Sequence, residues 1–195
     1  MEAFHRAEAI APDSADVRTY LALHYAHGSE WQRAIPLLER VVAEEPDRLP
    51  PLEALAVVRE RQGRLPEALR LRQKTATMRE PSAGERIHTA ELAMNTGETA
   101  AAIESFEQAR KLQGASFRND LELGVLFLAA GRLSEAKDAL DRVPPSHPAY
   151  PMALFKRAQV SVLLHEPDAA ARIEAARSHA NGTTRELIVR ERLFR

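Results

Sequence analysis

Residues 31–46, WQRAIPLLERVVAEEP, decide the fold, because their apolar and small side chains recur about 34 residues further along the chain. The clearest recurrence is a column of alanines, each 34 residues after the last: Ala34, Ala68, Ala102, Ala136 and Ala170. A period of this length is typical of arrays of helical repeats. We therefore interpret the chain as copies of one unit and expect its function to lie on an extended surface rather than in an enclosed pocket.

The composition agrees with a soluble helical protein. Of the 195 residues, 45% are hydrophobic, 28% are charged and only 5% are aromatic. Alanine, leucine, glutamate and arginine dominate, and these residues favour helices over strands. We expect an all-α fold with a buried core.

Charge and cysteine usage exclude several classes of function. A formal net charge of −1 provides no long-range field to attract nucleic acid, so we do not expect a nucleic-acid partner. The absence of cysteine excludes disulfides and thiolate metal sites. No apolar run approaches the roughly 20 residues of a membrane span, and the first residues do not resemble a signal peptide. We expect a soluble protein of unidentified compartment, the cytoplasm being only slightly favoured over the periplasm.

Five units of 34 residues align without a gap when they begin at Ala15, Leu49, Ala83, Phe117 and Pro151. Position 8 of this frame is always small, like the alanine column at position 20: Ala22, Ala56, Ala90, Gly124 and Ala158. Small residues at these two positions predict a close crossing of two helices within each unit.

Two further positions predict where the helices of each unit end. Position 15 holds Ser29, Gly63, Gly97, Gly131 and His165, and glycine there indicates a left-handed residue that ends the first helix. Proline at or next to position 32, in Pro46, Pro81 and Pro148, ends the second helix because it lacks the backbone donor. Accordingly we predict helices near 15–27, 31–44, 49–62 and 65–79.

Together these residues resemble the tetratricopeptide repeat, a 34-residue helix-turn-helix. The first unit carries the pattern most clearly, in Leu21, Ala22, Tyr25, Trp31, Ala34, Leu38, Val41 and Pro46. The fourth unit follows with Leu123, Gly124, Phe127, Gly131, Leu133, Ala136, Leu140 and Pro148. The family's early tryptophan is missing from every unit. The resemblance implies a right-handed α-α superhelix, a solenoid of antiparallel helix hairpins.

The resemblance extends along the whole chain as one solenoid. We predict a half repeat at 1–14, repeats at 15–48, 49–82, 83–116, 117–150 and 151–182, and a capping helix at 183–195. Phe4, Ala7 and Pro12 match the second helix of a repeat, so the chain starts inside a repeat. Either it is a fragment of a longer protein, the interpretation we favour, or its first helix is covered by something else.

The C-terminal end and two irregular segments carry further predictions. We expect Thr183 and Glu186 to form a capping box, and Leu187, Ile188 and Phe194 to anchor the last helix. Pro144 and Pro145 should cut the fourth repeat's second helix short, which makes PPSHPAYP a candidate hinge. In the degenerate fifth repeat, Arg157 and Glu174 occupy apolar positions and would compensate each other as a pair.

Arg59 and Arg72 occupy positions of the second repeat that are usually aromatic. One interpretation is that their stems pack while their guanidinium groups reach solvent or pair with acids such as Glu60, Glu67 or Glu91. The other is a basic patch for an acidic partner, which would include Arg61, Arg64, Arg70 and Lys74. We favour the first interpretation.

No motif predicts chemistry. The sequence has no phosphate loop, nucleophile elbow or zinc-binding helix, and we expect no enzyme activity, catalytic residue, cofactor or metal. His24 and His27 lie three residues apart but suggest no third metal ligand. His88 lies close to Glu91 on the inner helix face. We favour the interpretation that it is an ordinary residue of the groove; the alternative is a pH-sensitive contact.

The inner wall of the solenoid is the predicted functional surface. Repeat positions 5, 6, 9 and 12 of each first helix should face it, and they are more apolar than a solvated surface needs to be. The predicted contacts with a partner are Tyr20, Leu23, Val57, Ile87, His88, Leu121, Val125 and Phe155. Such a strip suits an amphipathic helix or an extended peptide. Family members that bind acidic chaperone tails use a Lys, Asn and Arg clamp here, which this sequence lacks.

The leading hypothesis is therefore a non-catalytic protein-binding scaffold. Alternatives are the targeting or regulatory region of a larger enzyme, a self-assembling scaffold that forms a homo-oligomer through the N-terminal half repeat, or a wall filled by the terminal helix or a neighbouring chain. The sequence names no partner or pathway. Arginine outnumbers lysine, which hints at a GC-rich bacterial genome.

Overall fold

The computed structural model describes residues 14–190, and in that range it is all-α, as predicted. Eleven α-helices and one short 3-10 helix (Gly114–Ser116) account for the regular structure of these residues. The α-helices are α1 (Ala15–His27), α2 (Trp31–Glu44), α3 (Leu49–Arg61), α4 (Leu65–Met78), α5 (Ala83–Thr96), α6 (Thr99–Gln113), α7 (Asp120–Ala129), α8 (Leu133–Asp141), α9 (Tyr150–Leu163), α10 (Ala169–Ser178) and α11 (Gly182–Arg190). The predicted bounds of the first four helices agree to within one residue.

The chain forms two compact units, Met1–Glu98 and Thr99–Arg195. The first unit contains α1 to α5 and the second contains α6 to α11. The boundary lies between the two helices of the third predicted repeat, so that α5 belongs to the first unit and α6 to the second.

The first unit is built from consecutive antiparallel pairs. Helix α1 packs on α2, α3 packs on α4, and the pairs are joined by contacts of α2 with α3, of α4 with α5 and of α1 with α3. The segment at residues 31–46 supplies Ala34, Leu38 and Val41, none of which is accessible to solvent. The apolar side of α2 is therefore buried between α2 and its neighbours. The predicted inner-wall positions lie on the first helices, α1 and α3.

The second unit repeats the arrangement. Helix α7 pairs with α8 and α9 pairs with α10, while α6 contacts α7 and α8 contacts α9. Helix α8 ends at Asp141, three residues before Pro144, so the short second helix of the fourth repeat is confirmed. The terminal helix α11 lies on α9, where Leu187 and Ile188 pack against Phe155, Ala158 and Ala176.

With the exception of Ala170, the small residues at repeat positions 8 and 20 are buried where helices pack, as predicted. Four of the five alanines at position 20 and all four at position 8 are at most 1% exposed. Gly124 shows why the position is small: a Cβ added there would lie 2.7 Å from Cγ of Leu140 on α8. Such a distance is well inside van der Waals contact, so an alanine requires the Leu140 side chain or the helices to shift.

Repeat position 15 ends the first helix in the same way in every repeat. The φ angles are 60° at Ser29, 74° at Gly63, 79° at Gly97, 73° at Gly131 and 55° at His165. The next residue donates its N–H to the carbonyl five residues earlier, with N···O distances of 2.8–2.9 Å in all five repeats. This is the Schellman motif, and Ser29 and His165 adopt it although a Cβ disfavours left-handed backbone.

The predicted register fails in the fifth repeat. Ala170, the last member of the alanine column, is exposed, and Ala176 with Ile173 packs inward instead. The cause is Pro167: the second helix starts at Ala169, two residues later in the frame than α2, α4, α6 and α8, and its buried side moves accordingly.

The predicted pair of Arg157 with Glu174 is also wrong, because Arg157 binds Asp141 and Glu166 while exposed Glu174 lies near Arg177.

The cap of the last helix differs from the prediction. The side-chain oxygen of Asn181 accepts hydrogen bonds from the N–H and hydroxyl of Thr184, so Asn181 is the N-cap and Thr183 lies inside the first turn. The predicted Thr183–Glu186 box is therefore wrong, whereas the anchors Leu187 and Ile188 are confirmed. The anchor Phe194, and the half-repeat residues Phe4, Ala7 and Pro12, lie outside the described residues.

Candidate functional site

The first unit presents the inner-wall residues of α1, α3 and α5 to solvent to different degrees. Tyr20 is 61% exposed and Val57 is 43% exposed, which is unusual for large apolar side chains on packed helices. Leu23, one turn after Tyr20 on α1, is partly buried and packs against the core of the first two repeats. Ile87 and His88 on α5 are also partly exposed. All five predicted contacts of the first unit are therefore accessible, in part or in full.

A concavity of about 200 Å³ lies between α1, the start of α2 and α3. It is lined by Leu23, Ala26, His27, Ser29, Trp31, Val57, Val58 and Arg61. The floor is apolar: Val58 is fully buried, and Leu23 and Trp31 pack against the surrounding core. A depression of this kind accepts one large apolar side chain.

Two basic residues, His27 and Arg61, stand among the lining residues, and both are exposed. Within residues 14–190 neither has a hydrogen bond or an ion pair to a carboxylate. The acids nearest to them in sequence are already engaged: Glu30 holds Arg33 at 2.8 Å, and Glu60 holds Arg72 at 3.0 Å. The concavity thus combines an apolar floor with a positive charge at its edge that is not neutralised.

The carboxylate of Glu60 is fixed from two sides. Nε2 of His88 lies 2.9 Å from Oε2 of Glu60, and Arg72 binds the same oxygen. Burial acts to raise the pKa of Glu60, but the hydrogen bonds from His88 and Arg72 outweigh it and leave that pKa below its ordinary value. The nearest acidic neighbour of His88 is therefore Glu60, and its predicted neighbour Glu91 is more distant, at 3.8 Å.

A second concavity of about 210 Å³, between α3, α4 and α5, differs from the first because its charges are paired. Arg79 binds both Glu53 and Glu85 there. The Arg79 hydrogen bond, with two from Ser82, lowers the pKa of Glu85 to about 2. A partner would have to replace these ion pairs to bind here, so this site is the weaker candidate.

The two interpretations of the second-repeat arginines are now distinguishable. Arg59 is buried and pairs with Glu39 and Glu67, and Arg72 pairs with Glu60, so the paired interpretation is confirmed. Among the other members of the suggested basic patch, Arg64 binds Glu67 and Lys74 binds Asp47. Only Arg61 and Arg70 have no acidic partner among the described residues.

In the second unit, two of the three predicted contacts are core residues. Phe155 is 1% exposed and packs with Ala158, Ala176 and the terminal helix, and Leu121 is 8% exposed. Their repeat positions correctly predicted that they lie in the first helices of their repeats, but did not predict that neighbouring side chains bury them. Val125 is partly exposed. The accessible part of the predicted surface is therefore concentrated in the first unit.

Sequence reasoning missed that His27, Trp31 and Arg61 join Leu23 and Val57 in one depression. A signal was available: His27 follows Leu23 by four residues, and Arg61 follows Val57 by four. Residues four apart lie on the same helix face. Repeat position 13 should therefore be added to the positions 5, 6, 9 and 12 from which the wall is predicted.

The described residues contain no cluster of three or more histidines, aspartates or glutamates arranged to hold a metal ion. His24 and His27 are accordingly not part of such a group. Among the helices of residues 14–190, none combines the length and the apolar character that crossing a membrane requires.

Comparison with known proteins identifies the repeat. Two family models, each described as a tetratricopeptide repeat, match residues 93–160 and residues 2–50. No curated protein sequence matches the chain.

Several solved structures share the fold at low sequence identity. The crystal structure of YrrB, described as a TPR protein with an unusual peptide-binding site, superposes with a TM-score of 0.74 and 13% identity over 97% of this chain and 98% of its own. The crystal structure of MamA superposes with a TM-score of 0.62 and 16% sequence identity, over 91% of this chain and 95% of its own. The structure of Pseudomonas aeruginosa pilF superposes with a TM-score of 0.56 and 18% sequence identity, over 96% of this chain and 87% of its own. The two model matches together take in more than half of the sequence, and the chain belongs to the tetratricopeptide repeat family.

Proposed function

We propose that this protein is a non-catalytic scaffold that binds a segment of a protein partner along the inner wall of its first unit. The observation that carries the proposal is the exposure of Val57 in the concavity that Leu23 and Trp31 line, together with the exposure of Tyr20 one turn before Leu23 on α1. A preformed apolar depression with exposed large apolar side chains around it is the kind of surface that binds a partner. An amphipathic helix or an extended peptide would fill the depression with one side chain and cover the others.

The contacts proposed for the partner are Tyr20, Leu23 and Val57, with Ile87 and His88 further along the wall. Val125 is the accessible candidate in the second unit. The wall is made of helices that pack on their neighbours, so a partner would meet a preformed surface and little ordering of the protein is required. Families of helical repeats use such extended surfaces for protein partners, and the peptide-binding site ascribed to YrrB is consistent with this use.

The experiment is site-specific photocrosslinking with the full chain. A benzophenone amino acid replaces Tyr20 in one variant and Leu112 in another, because Leu112 is a similarly exposed apolar residue, 56% accessible, on a second helix. In a lysate of the source cells we expect a discrete protein adduct at position 20 and none at position 112. Equal labelling at both positions, or none at position 20, would contradict the proposed surface.

A further inference from the structure

The concavity beside Val57 carries more information than its apolar floor, because its charge is not balanced. Its acidic neighbours in sequence, Glu30 and Glu60, hold Arg33, Arg72 and His88. Arg61 and His27 therefore line the depression without an acidic partner in the described part of the chain. A surface arginine left unpaired within a protein rich in ion pairs is available to a ligand.

We infer that this concavity binds a peptide segment in which a large apolar side chain is directly flanked by an acidic residue. This inference rests on the proposed function and specifies the partner's chemistry. The apolar side chain would lie against Leu23, Trp31 and Val57, and the carboxylate would accept hydrogen bonds from Arg61. A guanidinium and a carboxylate form stronger hydrogen bonds than neutral groups do, and beside an apolar floor they are partly shielded from water.

The two acidic wall residues of α3 do not favour a basic segment. Glu53 and Glu60 would attract a basic segment, but both are already bound, to Arg79 and to Arg72 with His88. A lysine of the partner placed in the concavity would face Arg61 and be repelled. Charge complementarity therefore selects the occupant, whereas the apolar floor alone would accept either.

Trp31 makes the inference directly measurable. It is the only tryptophan of the chain and lines the concavity. A leucine side chain placed there removes water from the indole and shifts its emission to shorter wavelength. Tryptophan emission of the full-length protein thus comes from one indole, which lines this site.

The probes are four short acetylated peptides, each with one leucine. In three amidated peptides the leucine is flanked by glutamate, by glutamine or by lysine. In the fourth, the leucine follows glutamine and is the last residue, so that it carries a free terminal carboxylate. At low salt we expect the glutamate peptide to bind roughly tenfold more tightly than the glutamine peptide, which corresponds to about 1.4 kcal/mol, and the lysine peptide to bind more weakly still. Added salt should reduce this preference.

The variant that tests the origin of the preference is Arg61→Gln, with Arg70→Gln as the matched control, because Arg70 is also an exposed arginine without an acidic partner in residues 14–190. We expect the three amidated peptides to bind Arg61→Gln with equal affinity and Arg70→Gln to behave like the native protein. A preference that survives in Arg61→Gln overturns the inference.

Other outcomes separate this inference from the proposed function. Equal binding of glutamate, glutamine and lysine peptides to the native protein overturns the acidic preference and leaves the binding wall standing. Binding of only the peptide with a free C-terminus overturns the side chain as the source of the carboxylate. If no peptide shifts the emission of Trp31, this inference fails, while crosslinking at position 20 still decides the proposed function.

Discussion

The guanidinium of Arg157 lies with Nη1 2.8 Å from Oε2 of Glu166, although only 2% of the arginine side chain is exposed. Its Nε binds Asp141 at 2.9 Å, and Asp141 is the last residue of α8, the second helix of the preceding repeat. Glu166 in turn holds Lys137 of α8 at 2.5 Å. A buried charge between repeats thus replaces the apolar residue expected there, and three oxygen-bearing partners compensate it, including the Ser161 hydroxyl.

Removing one partner from this cluster should be costly. We expect Glu166→Gln to lower the free energy of unfolding by about 1–3 kcal/mol, because it weakens the compensation of a buried guanidinium. Urea denaturation followed by circular dichroism measures the change. The control is Glu174→Gln, since Glu174 is exposed and 3.7 Å from Arg177. We expect it to change stability by less than about 0.5 kcal/mol, and equal effects of the two variants would refute the assignment.

The same carboxylate predicts a pH dependence. Hydrogen bonds from Lys137 and then Arg157 lower the pKa of Glu166 from its ordinary value of 4.5 to about 2 in the folded protein. A lowered folded-state pKa means that the stabilisation is complete above the unfolded value and is lost as the pH falls towards the folded value. The stability difference between native protein and Glu166→Gln should therefore be constant at neutral pH and shrink between pH 4.5 and 2. A difference independent of pH would contradict the ion-pair account.

The close approach of α7 and α8 predicts an unusual alanine effect. Gly124→Ala should destabilise the protein by about 1–3 kcal/mol, because the new Cβ overlaps the side chain of Leu140 and helix propensity offsets only part of that overlap. Gly84→Ala is the matched control: it also lies in a helix, and a Cβ there meets nothing within 4 Å. We expect it to stabilise the protein by no more than about 0.5 kcal/mol, because Gly84 lies in the first turn of α5 rather than in the middle of the helix. Thermal denaturation should show opposite signs for the two variants.

The left-handed residue that ends each first helix gives a third pair of substitutions. His165 has a φ of 55°, so His165→Gly should relieve backbone strain and raise stability by about 1 kcal/mol. At Gly131, with a φ of 73° and open space around its Cα, Gly131→Ala should lower stability by a similar amount. Chemical denaturation of both variants checks the signs. Destabilisation by His165→Gly would show that the imidazole contributes more than the backbone geometry does.

Much of the fold follows from the sequence because the determinants are local and repeated. Ala34 and its equivalents fix the helix crossing, and glycine at positions such as 63 and 131 fixes where a helix ends. The fifth repeat escaped prediction because Pro167 delays the start of its second helix by two residues, and Ile173 and Ala176 pack inward there instead of Ala170. A gapless alignment of 34-residue repeats cannot represent that delay.

The candidate site was less predictable than the fold. Repeat position indicates which side of a helix faces the wall, but not how much of that side the neighbours cover. Phe155 is covered by its own core and by the terminal helix, whereas Tyr20 is open. Within residues 14–190, Arg61 is unpaired because Arg72 and His88 bind the neighbouring carboxylate of Glu60. These contacts join different helices, so a local sequence pattern does not predict them.

The central claim is that the wall of the first unit binds a protein segment. Isothermal titration tests it most directly, with the purified partner identified by crosslinking and three forms of the full chain: native, the double variant Tyr20→Gln with Val57→Gln, and Leu112→Gln. Both glutamine sets replace exposed apolar residues, so folding should be preserved and is checked by circular dichroism.

We expect the double variant to weaken binding at least about tenfold, which corresponds to roughly 1.4 kcal/mol, while Leu112→Gln binds like the native protein. An unchanged affinity of the double variant, with its helix content intact, would contradict the account.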